Sequence, residues 1–444
     1  MARKKDQRPN VVADAQLSSA SRERQLVSWA AMIALALVTG FVIGFTVYLL
    51  LNLSEWLTAL IWDGLGGRLN LRLFPLITCT VGGVIIGIWT HLSHNSIDSL
   101  EEVLGQFGKT GSYRLENPPA TAVSFLLPLA FGGSVGFEAG LTGLITAACC
   151  WIRDKLKAAG LRLASIADVT IAASLSAIFK TPLAGLVAGY ESEHRESLNA
   201  AVGKVDDYNM RREVKLVLYL AAAMGSFVGI AVFTRLFGGA AGMPRFSSIQ
   251  AQGTDFLWAI PCLLMSYALL LVFHVATFGA QLVARRLDAN PTGDIIKPVV
   301  AGVALGATAL ALPLVLFPGE EQCNELIDAW SSWPVWALLA TGVFKAVVTP
   351  LCLNLGWKGG DFFPCIFAGV SCGYGLAALT GVDPMFMVTV TTTAFLSGVT
   401  RKPVLALAIL AICFPLDGIL WMGLSALIGS LLPIPQFLSP SHTE

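Results

Sequence analysis

From Gln25 to Ser54 the chain runs without one charged side chain. A helix needs about 20 apolar residues to cross a bilayer core, so this run suffices with some tilt. It is no cleavable signal peptide, because a polar stretch precedes it and its apolar part is too long. Comparable runs recur to about Leu432, and the chain is 55% hydrophobic and only 13% charged. A soluble protein carries roughly a quarter charged residues. The expectation is an all-α, polytopic membrane protein.

The net charge of zero singles out no acidic or basic partner, and no nucleic acid is expected. Charge is placed unevenly, however. Arg3, Lys4, Lys5, Arg8, Arg22 and Arg24 precede the first span. By the positive-inside tendency this predicts a multi-pass protein of the cell membrane with a cytoplasmic N-terminus. The stretches ESEHRESLNAAVGKVDDYNMRREVK and ARRLDANPTGDIIK are basic enough to lie inside too. Of the nine cysteines, all but Cys323 lie in apolar runs, where they read as small core residues.

Two stretches resemble each other: ASLSAIFKTPLA at 173–184 and AFLSGVTRKPVL at 394–405. Upstream of each proline comes a glycine-rich turn with one acid, GGSVGFEAG with Glu138 and GWKGGDFFP with Asp361. Matching order and spacing indicate an internal duplication. The expected organisation is an N-terminal segment at 1–26, a first membrane repeat at 27–191, a connecting loop at 192–213, a second repeat at 214–432 and a short tail at 433–444. Prolines and glycines are expected to cut the apolar sequence into pieces of about 10 to 18 residues, too short to span alone. Broken helices at matching places of two repeats point to a transport site near the midplane.

Glu138 is the only charge between Glu116 and Arg153. A helix that starts inside the membrane aims unpaired N–H groups and a partial positive charge at its entrance, and so forms an anion site. A carboxylate there is an anion in an anion site. Ionised it blocks, and protonated or displaced it withdraws, so Glu138 reads as a gate and a carrier of protons. The alternative is a small-xxx-small packing face made of Gly132, Gly136 and Gly140. That face would leave Glu138 unexplained, and a charge at bilayer depth costs at least about 2.5–3.5 kcal/mol.

Asp361 stands in the matching turn and also fits a plain N-cap. Lys345 and Lys180, each isolated in apolar sequence, read as snorkelling residues or buried counter-charges. His91, His94 and Asp98 share one helical face and form a remote metal-site candidate.

These motifs in this order resemble the CLC family of chloride channels and proton/chloride exchangers. The likeness covers about residues 30 to 432 and suggests a divergent, prokaryotic-type member without CBS domains. Its gate pattern is met by Gly136-Phe137-Glu138-Ala139-Gly140, and its Gly-x-Phe-x-Pro pattern by Gly360-Asp361-Phe362-Phe363-Pro364. Its Ala-Phe-x-x-Pro-Leu-Ala-Gly stretch appears as Ile178 to Gly185, and Lys345 stands where a basic residue is frequent.

The resemblance implies two inverted repeats with many short, tilted and broken helices, and a homodimer with one pore per subunit. It implies anion binding at Gly136, Phe137 and Glu138 and at Asp361 and Phe362, with Glu138 as the gate. Departures follow from the same alignment. The serine of the central anion site falls at Asn95 or Ser96, and the C-terminal tyrosine has only Phe437 as its nearest counterpart. The inner proton-relay glutamate falls at Ser192, flanked by Glu191 and Glu193. The resulting expectation is a gated chloride pathway, leaning to a passive channel because Ser192 relays no proton. A proton/chloride or fluoride antiporter is the alternative, and a metal-dependent membrane enzyme or a non-conducting scaffold is remote. No cofactor is expected.

Overall fold

The computed structural model describes residues 11–67, 71–93, 98, 102–103, 106, 113–158, 173–174, 176–178, 183, 187, 212–239, 244–435 and 438. The architecture is all-α, with no named strand among the described residues and a single isolated bridge. In chain order the helices are α1 (Val11–Ala59), α2 (Phe74–Ser93), α3 (Pro118–Ala130) and α4 (Glu138–Ala158). Further along the chain come α5 (Arg212–Phe237), α6 (Ala259–Asp288), α7 (Gly293–Ala309) and α8 (Glu320–Ala329). The chain then forms α9 (Val335–Asn354), α10 (Phe362–Thr380), α11 (Pro384–Thr400), α12 (Pro403–Leu410) and α13 (Ile419–Leu431).

Among the described residues six segments are long and apolar enough to span a membrane: Trp29–Gly66, Phe74–Ser93, Leu216–Phe237, Gly253–Asp288, Val335–Asn354 and Phe362–Thr380. α3 has only 13 residues, about 20 Å at ~1.5 Å per residue, and stops short of a ~30 Å core. It ends in the turn that leads to α4. The apolar sequence is less fragmented than its prolines imply. Pro298 lies inside α7 and Pro350 inside α9 without ending either helix. Both prolines are buried, and their own carbonyls accept from side chains: that of Pro298 from Trp357 Nε1 at 2.8 Å, and that of Pro350 from Asn354 Nδ2 at 2.7 Å.

Small residues let backbones approach where lipid offers no hydrophobic drive. Gly40 and Gly44 of α1 press on Ala222 and Ser226 of α5, while Gly225 and Gly229 press back on Leu37 and Phe41. α2 and α7 pair the same way, through Gly83 and Gly87 on one side and Gly302 and Gly306 on the other. Leucines 420, 424, 427 and 431 of α13 face outward. α10 is the opposite case, with 89% of its most apolar window buried within the protein. A helix so enclosed can end in polar backbone without exposing it to lipid.

Candidate functional site

The two glycine turns meet. Gly136 N–H donates to Gly360 O at 2.7 Å and Gly360 N–H returns the bond to Gly136 O at 2.8 Å, an antiparallel bridge between the halves. Immediately beyond it the two helices begin, α4 at Glu138 and α10 at Phe362. The rings of Phe137 and Phe363 pack beside the bridge, centroids 4.4 Å apart.

Glu138 is fully buried. Its Oε1 accepts from Phe362 N–H at 2.7 Å, across 224 residues of sequence, while Oε2 has no hydrogen-bond partner among the described residues. The carboxylate therefore occupies the N-terminal end of α10. A charge-assisted bond of this kind contributes about 1.5–3 kcal/mol. The glycines form the seat: a Cβ on Gly136 would lie 2.0 Å from Oε2, and one on Gly360 2.1 Å from Cδ.

The three glycines spaced by four do not share a helix face. Gly132 has φ +83° and turns the chain after α3, Gly136 makes the bridge, and only Gly140 packs in a helix, against Phe125. The packing alternative fails because a turn separates them. Asp361 takes the N-cap position of α10 without a side-chain cap bond. Pro364 stands two positions into that helix, where its missing N–H costs nothing.

Lys345 neither snorkels nor pairs with an acid. It is fully buried, and its Nζ donates to the carbonyls of Val315 (3.0 Å), Leu316 (3.1 Å) and Phe317 (2.5 Å). Its ammonium also lies 5.3 Å from the centre of the Phe367 ring, a cation–π contact. Phe317, held at φ +61°, donates in turn to Gly132 O at 3.1 Å. Through that chain of bonds Lys345 on α9 braces the glycine turn of the first half. Ser134 and Thr349 share a hydrogen bond at 3.0 Å, a second tie between the halves. Trp357, fully buried, packs on Gly133.

Of the expected site residues, Gly136, Phe137, Glu138, Asp361 and Phe362 come together. Asn95, Ser96, Phe437, Glu191, Ser192 and Glu193 lie outside the described residues, as do Lys180 and His94. No group of three metal-type ligands occurs among the described residues, and Asp98 instead accepts from Tyr113 Oη at 3.0 Å. Sequence reasoning passed over Tyr113 and Trp357. It also passed over Thr142 and Thr146, although their four-residue spacing from Glu138 was readable.

No curated protein sequence matches the chain. Among solved structures it resembles a CLC-type fluoride/proton antiporter, with TM-score 0.67, 18% identity, and coverage of 90% of this chain and 94% of that one. A slow cyanobacterial Cl−/H+ antiporter gives TM-score 0.68 and 18% identity, covering 91% and 93% respectively. A eukaryotic CLC transporter gives TM-score 0.65 and 17% identity, covering 92% and 72%. At these identities the structures speak for the fold. Residues 82–433 match the voltage-gated chloride channel family, which spans both glycine turns and well over half the chain, and the chain belongs to that family.

Proposed function

We propose that the chain exchanges protons for a small anion, chloride first and fluoride next, through a pathway gated by Glu138. One observation carries this reading: a fully buried carboxylate seated on the amide of Phe362 with its second oxygen unpartnered. Ionised Glu138 competes with the anion for the helix start. Once it takes a proton it loses most of its attraction to that amide and leaves the seat to the anion. One residue then serves both ions in alternation, which is what exchange requires. The antiporters of the same fold are consistent with this mode.

The lean toward a passive channel rests on Ser192, outside the described residues, and stays as the competing outcome of the test. A homodimer and a cytoplasmic N-terminus complete the proposal, the first from the family resemblance and the second from the basic N-terminal segment.

The test uses the purified protein in liposomes under an imposed chloride gradient, with external pH recorded. Chloride-driven proton movement against its gradient, lost in Glu138→Gln while chloride still moves, is the expected result. Chloride flux without proton movement in the wild type would make the protein a channel. If chloride fails to move, fluoride is the next ion.

A further inference from the structure

A proton taken up by Glu138 needs a route through the protein, and α4 carries one on the face below it. Glu138, Thr142 and Thr146 follow at i, i+4 and i+8 and so line one side of the helix. All three are fully buried, and each holds a side-chain oxygen without a hydrogen-bond partner among the described residues: Glu138 Oε2, Thr142 Oγ1 and Thr146 Oγ1. Buried polar atoms are almost always paired, and a line of orphans marks where ordered water sits. Neighbours four apart on a helix are separated by about 5–6 Å, the reach of two hydrogen bonds through one water. The unpartnered hydroxyls of Thr391, Thr392 and Thr393 on α11 are consecutive, so they point in different directions and form no such line.

Tyr113 stands beside the stretch between Thr142 and Thr146. Its side chain is buried, and its Oη lies 3.5 Å from where a Cβ on Gly143 would be. Gly143 and Thr146, three apart, are adjacent on the helix surface. Tyr113 N–H donates to Cys150 Sγ at 3.4 Å, which fixes the residue along α4. Its hydroxyl donates to Asp98 Oδ2 at 3.0 Å, and Asp98 is partly exposed. Glu102, Lys358 and Lys297 are the other charged groups around this pair, and Asp361 is the charged group beside Glu138. Burial first, then Asp98 beside it, pushes the Tyr113 phenol above its ordinary range, so the hydroxyl keeps its hydrogen at neutral pH. Two spanning segments precede Asp98 and Tyr113, which returns this part of the chain to the N-terminal face of the membrane.

We propose that Asp98, Tyr113, Thr146 and Thr142 form the proton relay between the N-terminal face and Glu138, replacing the inner glutamate that Ser192 lacks. The inference rests on the exchange reading above. In the resting arrangement ionised Asp98 accepts from Tyr113. A proton arriving on Asp98 reverses that bond, so that Asp98 O–H donates to Tyr113 Oη. The phenolic hydrogen then turns toward water between Thr146 and Thr142. As Tyr113 passes its own proton to that water it receives the one from Asp98. The threonine-lined waters hand one proton on to Glu138, and Asp98 is ionised again. One proton has moved and no bond other than O–H has changed.

The test is chloride-driven proton uptake by the full chain in liposomes, comparing wild type with Tyr113→Phe, Thr146→Val and Thr146→Ser. Tyr113→Phe and Thr146→Val each keep shape and remove the relaying hydroxyl. The expected result is a proton-to-chloride ratio lowered by about tenfold or more in both, with chloride flux within about twofold of wild type and Thr146→Ser restoring the ratio. A coupled wild type whose ratio is unchanged in both variants overturns the relay alone. Proton and chloride flux falling together in both variants also overturns it, because that is the mark of a structural role. A wild type that moves chloride without protons defeats the exchange reading and the relay with it.

Discussion

The two glycine turns are built alike and hold their acids differently. In the first, Glu138 is the first residue of α4, fully buried, and reaches across to the Phe362 amide of the other half. In the second, Asp361 sits one position before α10, partly exposed, and caps nothing with its side chain. A shift of one position relative to the helix start and one methylene of length separate a residue that takes the Phe362 amide from one that stands beside it. Two helix starts thus face each other, and only one of them carries an acid that reaches across to the other. The braces follow the same asymmetry. Lys345 on α9 fastens the turn before α4 through Phe317, so the Glu138 turn is held from a distant part of the chain.

The largest effect that could break this contrast is expected from Glu138→Asp. The shorter carboxylate falls short of Phe362 N–H, and exchange should drop by roughly two orders of magnitude, the scale of losing a positioned proton-transfer group. Retained exchange, measured as chloride-driven proton uptake, would mean that reach across the interface is irrelevant. Next comes Lys345→Met, which leaves the carbonyls of residues 315, 316 and 317 without their donor. Loss of a buried charge that satisfies several groups costs about 2–5 kcal/mol, to be read as a lower Tm of the detergent-solubilised protein. An unchanged Tm would show that the brace contributes nothing.

Both turns were legible in the sequence because a lone acid among glycines in apolar surroundings has few explanations. The partners were not. Lys345 binds backbone carbonyls some 28 to 30 residues away, and a carbonyl leaves no residue-type signal. Its third acceptor lies on Phe317, a non-glycine residue at positive φ that only tertiary packing sustains. Trp357 reaches Pro298 over 59 residues, and Tyr113 reads as a loop aromatic until α4 is in place. The same blindness affects proline. Pro298 and Pro350 predict breaks, yet both helices continue with the prolines buried.

Smaller effects sharpen the comparison further. Asp361→Asn takes a negative charge from beside the seat while leaving Glu138 in place. Chloride binding, followed by titration calorimetry, should tighten by up to about tenfold with proton coupling intact. Loss of coupling would give Asp361 a share in the gate. Ser134→Ala removes one inter-half hydrogen bond and should cost about 1 kcal/mol of stability, seen as a slight fall in Tm with flux unchanged.

The central claim is that the Glu138 carboxylate occupies the seat of a transported anion. A crystal structure of Glu138→Ala soaked in bromide tests it most directly through anomalous scattering. The account predicts a bromide peak within hydrogen-bond distance of Phe362 N, in the space the carboxylate has left, and none there in the wild type. A variant structure with the two helix starts intact and no peak at that amide would contradict it.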